Sequence, residues 1–174
     1  GNLPANGCGL WSLGGADGNP AANRNADGSP ATTNYSHNGD LQMLYWPALT
    51  CNLAECQQPL FDYIRSLQKG GAVTAKKYFN ARGWTASTTG NPFGFTAPLA
   101  GQDPATGVNP VAGPWLATHL WEHFAFTRDA AFLRNEAYPV LKGSADFCSD
   151  YLWQKDDGPL TAAPSVSLGD GPVD

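Results

Sequence analysis

Apolar residues recur at helical spacing through the middle of this chain, and three stretches rich in Gly, Pro and Asn separate them. That alternation constrains the fold more than any other feature. Leu60, Phe61, Ile64 and Leu67 fall at i, i+1, i+4 and i+7, one stripe of a helix. Leu41, Met43, Leu44, Tyr45 and Trp46 predict a short buried helix, ended by Pro47 or shortly after it. Gly70-Gly71 is expected to break the helix that holds Leu60, with a new one running from Val73 to Phe79. Two stripes cover 114–126: Trp115, His119 and His123 on one, Leu116, Leu120 and Phe124 on the other. A helix apolar almost all round is buried. Asp129 is placed to cap a segment through Leu133 and Ala137, and Pro139 favours a fresh first turn. Leu141, Ala145, Cys148 and Leu152 continue a buried face.

Between these lie 1–34, with Leu10-Trp11 as an apolar island, then 83–112 and 155–174. Loops this long without structure of their own are uncommon unless functional. A plain helix bundle has short connections. No convincing alternating strand pattern is present. The expected class is therefore all-α, with helical hairpins whose long loops (17–40, 83–112, 155–174) gather at one end to build a cleft, as in an (α/α) toroid.

A chain of 174 residues suffices for one domain with a core. The net charge is −5 with no basic stripe, which argues against nucleic acid as a partner. No apolar run reaches membrane-spanning length, so no membrane role is expected. Six Trp, six Tyr and eight Phe supply flat apolar faces of the kind sugar clefts use, and equally of the kind any core packs. Cys8, Cys51, Cys56 and Cys148 show no zinc spacing; a Cys51–Cys56 bridge and free buried thiols both stay open. Both ends read as cuts within loops. Abundant Asn, Gly, Thr and Trp with little Lys point to an extracellular or periplasmic setting.

The segment from Tyr35 to Pro47 sets a polar cluster just ahead of a buried helix. Asn38 or Asp40 could cap that helix; Asp40 could instead hold and deprotonate a water. His119-Leu120-Trp121-Glu122-His123 matches a two-histidine zinc-peptidase pattern, with Glu122 as base and Glu136 as a possible third ligand. The same residues fit a packed helix, with His119 or His123 reaching the cleft floor, and that reading assigns no metal. Trp84, Trp11 and Phe93 lie in or beside loops, where each could stack on a sugar or cover a loop against the helices.

Asn38-Gly39-Asp40-Leu41-Gln42-Met43-Leu44-Tyr45-Trp46-Pro47-Ala48 resembles the Asn-x-Asn-x-Gln-Met-Asn-Tyr-Trp-Pro-Ala segment of the alpha-L-fucosidases of glycoside hydrolase family 95. The likeness continues through Asn52-Leu53-Ala54-Glu55, Pro59-Leu60-Phe61-Asp62, Arg82-Gly83-Trp84 and Asn91-Pro92-Phe93-Gly94. Further on it includes Trp115-Leu116, His119 to Phe124, and Ala137 to Gly143, and it ends near Pro164-Ser165-Val166-Ser167.

This resemblance implies a fragment, 1–174, supplying the first half of an (α/α)6 barrel, with the remaining half of the catalytic domain as its partner. It implies inverting hydrolysis of terminal alpha-L-fucosyl or alpha-L-galactosyl linkages in oligosaccharides or glycans, without a cofactor. An acid protonates the leaving oxygen while the opposite side activates water. The family's water-positioning asparagine pair corresponds to Asn38 and Asp40. Its general acid lies in a Pro-Ser-x-Ser-Pro-Glu segment; here Gly169 stands at the Glu position and Asp170 follows it. The resemblance is tight around Trp84, which makes that ring the preferred sugar-binding tryptophan. A zinc peptidase and a non-catalytic carbohydrate-binding relative are the alternatives.

Overall fold

The computed structural model describes residues 3–5, 35–98, 109–154, 156–162, 166–167 and 171–172. Trp11, Cys8 and Asp170 lie outside them. The described chain is mainly helical. Strand β1 (Tyr35–Ser36) leads into helix α1 (Asp40–Thr50). A 3₁₀ turn (Ala54–Gln57) then delivers α2 (Gln58–Phe79). After β2 (Thr89–Gly90) comes α3 (Ala112–Thr127). One helical turn (Ala130–Phe132) and a π-helical stretch (Leu133–Ala137) run into α4 (Tyr138–Tyr151). The hairpin β3 (Leu152–Gln154) and β4 (Leu160–Ala162) follows, then the short pair β5 (Val166–Ser167) and β6 (Gly171–Pro172).

Local chemistry accounts for the boundaries. Asp129 Oδ1 accepts from the Ala131 and Phe132 amides, the capping expected of it. Pro139 sits in the first turn of α4, where its missing amide costs nothing. Helix α1 runs three residues past Pro47 to Thr50. Asn80 and Arg128 end α2 and α3 in the left-handed conformation typical of helix termini.

The expected break at Gly70-Gly71 does not occur: α2 continues unbroken to Phe79. These glycines make room instead. A Cβ on Gly71 would lie 2.5 Å from the Thr85 carbonyl oxygen, and one on Gly70 2.8 Å from that of Gly94. Gly70 makes room for Gly94, and Gly71 lets the segment 81–90 cross α2 at backbone contact, with the Thr85 amide donating to Gly71 O at 3.3 Å. This strap is stitched on every side. Arg82 makes a two-pronged ion pair with Asp150, at 2.8 and 2.7 Å. The Trp84 amide donates to Gly143 O, and the Gly113 amide to Ala86 O. Ala81, Trp84, Thr85, Ala86 and Ser87 are all buried. The composition of 83–112 predicts a loop, yet its first part is core.

Contacts between elements fix their directions. Gly39 faces Trp115, so α1 and α3 begin at the same end. His123 bonds Gln57 and Arg65 pairs with Glu136, so the start of α2 meets the finish of α3 and the start of α4. Arg82 and Asp150 join the finish of α2 to that of α4. One end of the bundle therefore gathers Asn38–Asp40, the 80–98 and 109–111 segments and the β3–β4 hairpin. Among the described residues, the other end holds the turns at 51–57 and 128–137. The β1–β2 pairing, Tyr35 with Gly90 and Ser36 with Thr89, ties two of the long connections together. Leu60, Phe61, Ile64, Leu67, Leu116, Leu120 and Val140 form the main core between the helices. Met43, Trp46 and Trp121 remain about half exposed on α1 and α3.

Candidate functional site

Gly39 is the hinge of the loop-end turn. Its φ of +90° is open to glycine and strained for residues with a side chain. With that turn the chain passes from β1 into α1 and leaves Asn38 and Asp40 on either side, both exposed. Neither side chain caps α1. The capping work is done by Gln42, whose Oε1 accepts from the Gly39 amide at 3.0 Å. The amide side of Gln42 donates to His37 O at 2.8 Å. Gln42 stands three residues after the cap, the spacing at which a long polar side chain reaches back. The cap alternative for Asn38 and Asp40 is thereby removed.

His37 anchors the turn from behind. It is fully buried. Its Nδ1 is 2.7 Å from the Ser87 carbonyl, which can only accept, so Nδ1 carries the proton. Nε2 is then the acceptor for the Tyr63 hydroxyl at 2.8 Å. Burial pushes the imidazole down to about 4, against an opposing hydrogen bond to Ser87, so it is neutral near pH 7. Of these three anchors, Gln42 carries a signal in the sequence, its capping-box spacing, while His37 and Tyr63 are marked only by their contacts.

Two expected sugar-binding residues are elsewhere. Trp84 is 3% exposed, and its indole N–H donates to Val140 O at 2.9 Å. It fills the junction of the strap with α4, so no ring face is open to a sugar. His119 is 1% exposed on the buried face of α3 and also offers no surface. Spacing placed it on a stripe with Trp115 and His123 but gave no depth. Neither of its ring nitrogens finds a partner. Burial lowers it to about 4, which keeps it uncharged.

His123 lies at the short-turn end, away from Asn38 and Asp40. It packs edge-on to Phe61 at 5.0 Å and pairs its Nδ1 with Gln57 Oε1 at 2.9 Å. It borders an open hollow of about 460 Å³ shared with Glu55, Asp129, Asn135 and Glu136. Burial lowers its pKa while Asp129 and Glu136 oppose the shift. The zinc-peptidase alternative needs two imidazoles turned to a common ion. Instead one is packed away and the other is bonded to Gln57; no group of three His, Cys, Asp or Glu among the described residues is arranged to hold a metal. Cys51 and Cys56 are exposed and unbridged, neither paired nor buried as the sequence allowed.

His119 and His37 carry a pH consequence. Each has a folded value near 4 against 6.5 for the free side chain, so the unfolded chain takes up protons first. Their contribution is whole above about pH 6.5 and is lost as pH falls from there toward 4. His119→Met keeps the volume and removes one of these groups. It is expected to shallow the decline in melting temperature between pH 7 and 4 without lowering the neutral-pH value. An unchanged decline would contradict the buried neutral imidazole.

The glycosyl hydrolase family 95 catalytic domain matches residues 1–172, and the chain belongs to that family. It is 41% identical to alpha-L-fucosidase 2 of Arabidopsis thaliana over 130 residues, 75% of this chain and 15% of the relative. It is 31% identical to the probable alpha-fucosidase A of Aspergillus niger over 180 residues, 99% of this chain and 21% of the relative. The chain thus spans about a fifth or less of the length of these two relatives.

Proposed function

We propose that the protein containing this chain is an inverting glycosidase that removes terminal alpha-L-fucosyl, or related alpha-L-galactosyl, residues from oligosaccharides or glycans. The single observation that carries the reading is the turn at Gly39. It leaves an amide and a carboxylate, Asn38 and Asp40, exposed at the loop end and free of capping duty. Family membership and the fucosidase names of both relatives supply the substrate class.

In this mechanism Asn38 and Asp40 hold a water on one face of the sugar, and Asp40 draws off its proton as the water attacks the anomeric carbon. An acid on the opposite face, assigned to Asp170, gives its proton to the departing oxygen. The bond from water oxygen to carbon forms as the glycosidic bond breaks, so the configuration inverts. No cofactor enters this scheme.

Helices α1 and α3 run parallel, starting at the loop end, and leave Met43, Trp46 and Trp121 uncovered. That supports their place in the inner ring of an (α/α)6 barrel, completed by the other half of the same catalytic domain. The setting proposed is extracellular or periplasmic, where fucosylated glycans are accessible. The test follows the hydrolysis of an aryl alpha-L-fucoside by proton NMR with the full-length protein. The first product is expected to be beta-L-fucose, drifting later to the equilibrium mixture. Initial alpha-L-fucose would overturn inversion, and no release of fucose would overturn the enzyme reading.

A further inference from the structure

We propose that His37, Gln42 and Tyr63 are positioning residues that fix the Asn38–Asp40 turn in the geometry required for attack by water. The inference rests on the base-side role of Asn38 and Asp40 given above.

Besides the bonds from the Asn38 amide to Ser36 Oγ and from the helical Met43 amide to Gly39 O, five hydrogen bonds converge on residues 37–39. The His37 amide donates to Thr88 O at 2.6 Å. The His37 ring bridges Ser87 O at 2.7 Å and the Tyr63 hydroxyl at 2.8 Å. Gln42 holds His37 O at 2.8 Å and the Gly39 amide at 3.0 Å. A helix start needs one of these, the Gln42 to Gly39 bond. The other four fix the backbone directly before Asn38 from three directions: α1, α2 and the strap.

Burial makes this arrangement stiff. His37 and Gln42 are 0% exposed and Tyr63 1%. A buried polar group left without a partner is costly, so the network resists any shift that breaks a bond. Tyr63 is itself steadied by Tyr35, with ring centroids 4.8 Å apart. Gly90 closes the remaining side: a Cβ there would lie 2.6 Å from His37 Nε2. None of the three side chains reaches solvent, so they act through Asn38 and Asp40.

Groups that place a nucleophilic water show their effect in turnover, because misplacement by about 1 Å costs up to a hundredfold in rate. The experiment uses the full-length protein, an aryl alpha-L-fucoside and melting temperatures measured in parallel. Tyr63→Phe keeps the ring against Tyr35 and deletes only the donor to His37. It is expected to lower kcat about tenfold, with KM within about twofold, while the orphaned His37 Nε2 also lowers the melting temperature. Gln42→Leu cuts the turn from its cap and is expected to cost about a hundredfold; should it not fold, Tyr63→Phe carries the test.

In an Asn38→Ala/Asp40→Ala background, Tyr63→Phe is expected to lower kcat no further, because the groups it places are gone. A merely structural role would show as a lower melting temperature at undiminished kcat. Full kcat in Tyr63→Phe, or a loss that multiplies that of the Asn38→Ala/Asp40→Ala double variant, would overturn the proposal. Full turnover in both Asn38→Ala and Asp40→Ala would remove the base-side reading and this inference with it. Loss there with unchanged kcat in Tyr63→Phe would remove this inference alone.

Discussion

Asp40→Ala in the full-length protein is expected to lose about a hundred- to ten-thousand-fold in kcat, the usual cost of deleting a positioned acid–base group. KM for an aryl alpha-L-fucoside should change little, since the water is held more firmly in the transition state than the sugar is in the ground state. The carboxylate is exposed, and the α1 cap is built from Gly39 and Gln42 without it. Stability therefore gives no route to so large an effect: losing an acid from a first helical turn costs about 0.3–1 kcal/mol. Asp40→Asn separates two roles. If the carboxylate is the base, the amide variant is expected to be as slow as Ala. If it only holds the water, Asn should keep most of the rate. Asn38→Ala should fall with Asp40→Ala in kcat. Full activity in Asp40→Ala would show that the turn is only a helix start.

The stripe of α2 was legible and that of α4 was not: Leu141, Ala145, Cys148 and Leu152 are expected on its buried face, whereas Val140, Ser144, Phe147 and Tyr151 fill it. Leu60, Phe61, Ile64 and Leu67 pack in the core as their spacing predicts, and Asp129 caps where it should. The family was legible from ordered short motifs. What the sequence hid was depth. Gly70-Gly71 reads as a breaker because glycine is permissive, but a neighbouring backbone decides whether that permission breaks a helix or admits a crossing chain. Trp84 has the same ambiguity. Its surroundings are Gly, Thr and Ala, the composition of a loop, and only the contact with Val140 turns it inward. His119 and His123 share a helical stripe, yet one is sealed and the other meets Gln57, a partner 66 positions away in the chain. Periodicity reports direction around a helix and is silent on what packs there.

Gly83→Ala is expected to be the most damaging single-methyl change in the described chain. Gly83 has a φ of +65°, where an L-residue with a Cβ pays about 1–2 kcal/mol. Its Cβ would also overlap the Gly143 carbonyl of α4, an atom locked in a helix. Forcing such an overlap apart typically costs about 1–3 kcal/mol more. A combined loss of about 2–5 kcal/mol is a large share of a domain's 5–15. The strap then has to lift from α4, which strains the Trp84 bond to Val140 and the Arg82–Asp150 pair on either side. The consequence extends beyond stability, because the same strap presents Ser87 and Thr88 to His37. Well below its melting temperature, Gly83→Ala is thus expected to show reduced kcat as well as an earlier thermal transition. Arg82→Ala is the contrasting probe: it removes an exposed ion pair and leaves the strap's glycine contacts intact, so melting and turnover should both change little. Equal, small effects from the two variants would show that the strap is not seated on Gly143. A large thermal shift in Gly83→Ala with undiminished kcat would show instead that strap and turn are mechanically independent.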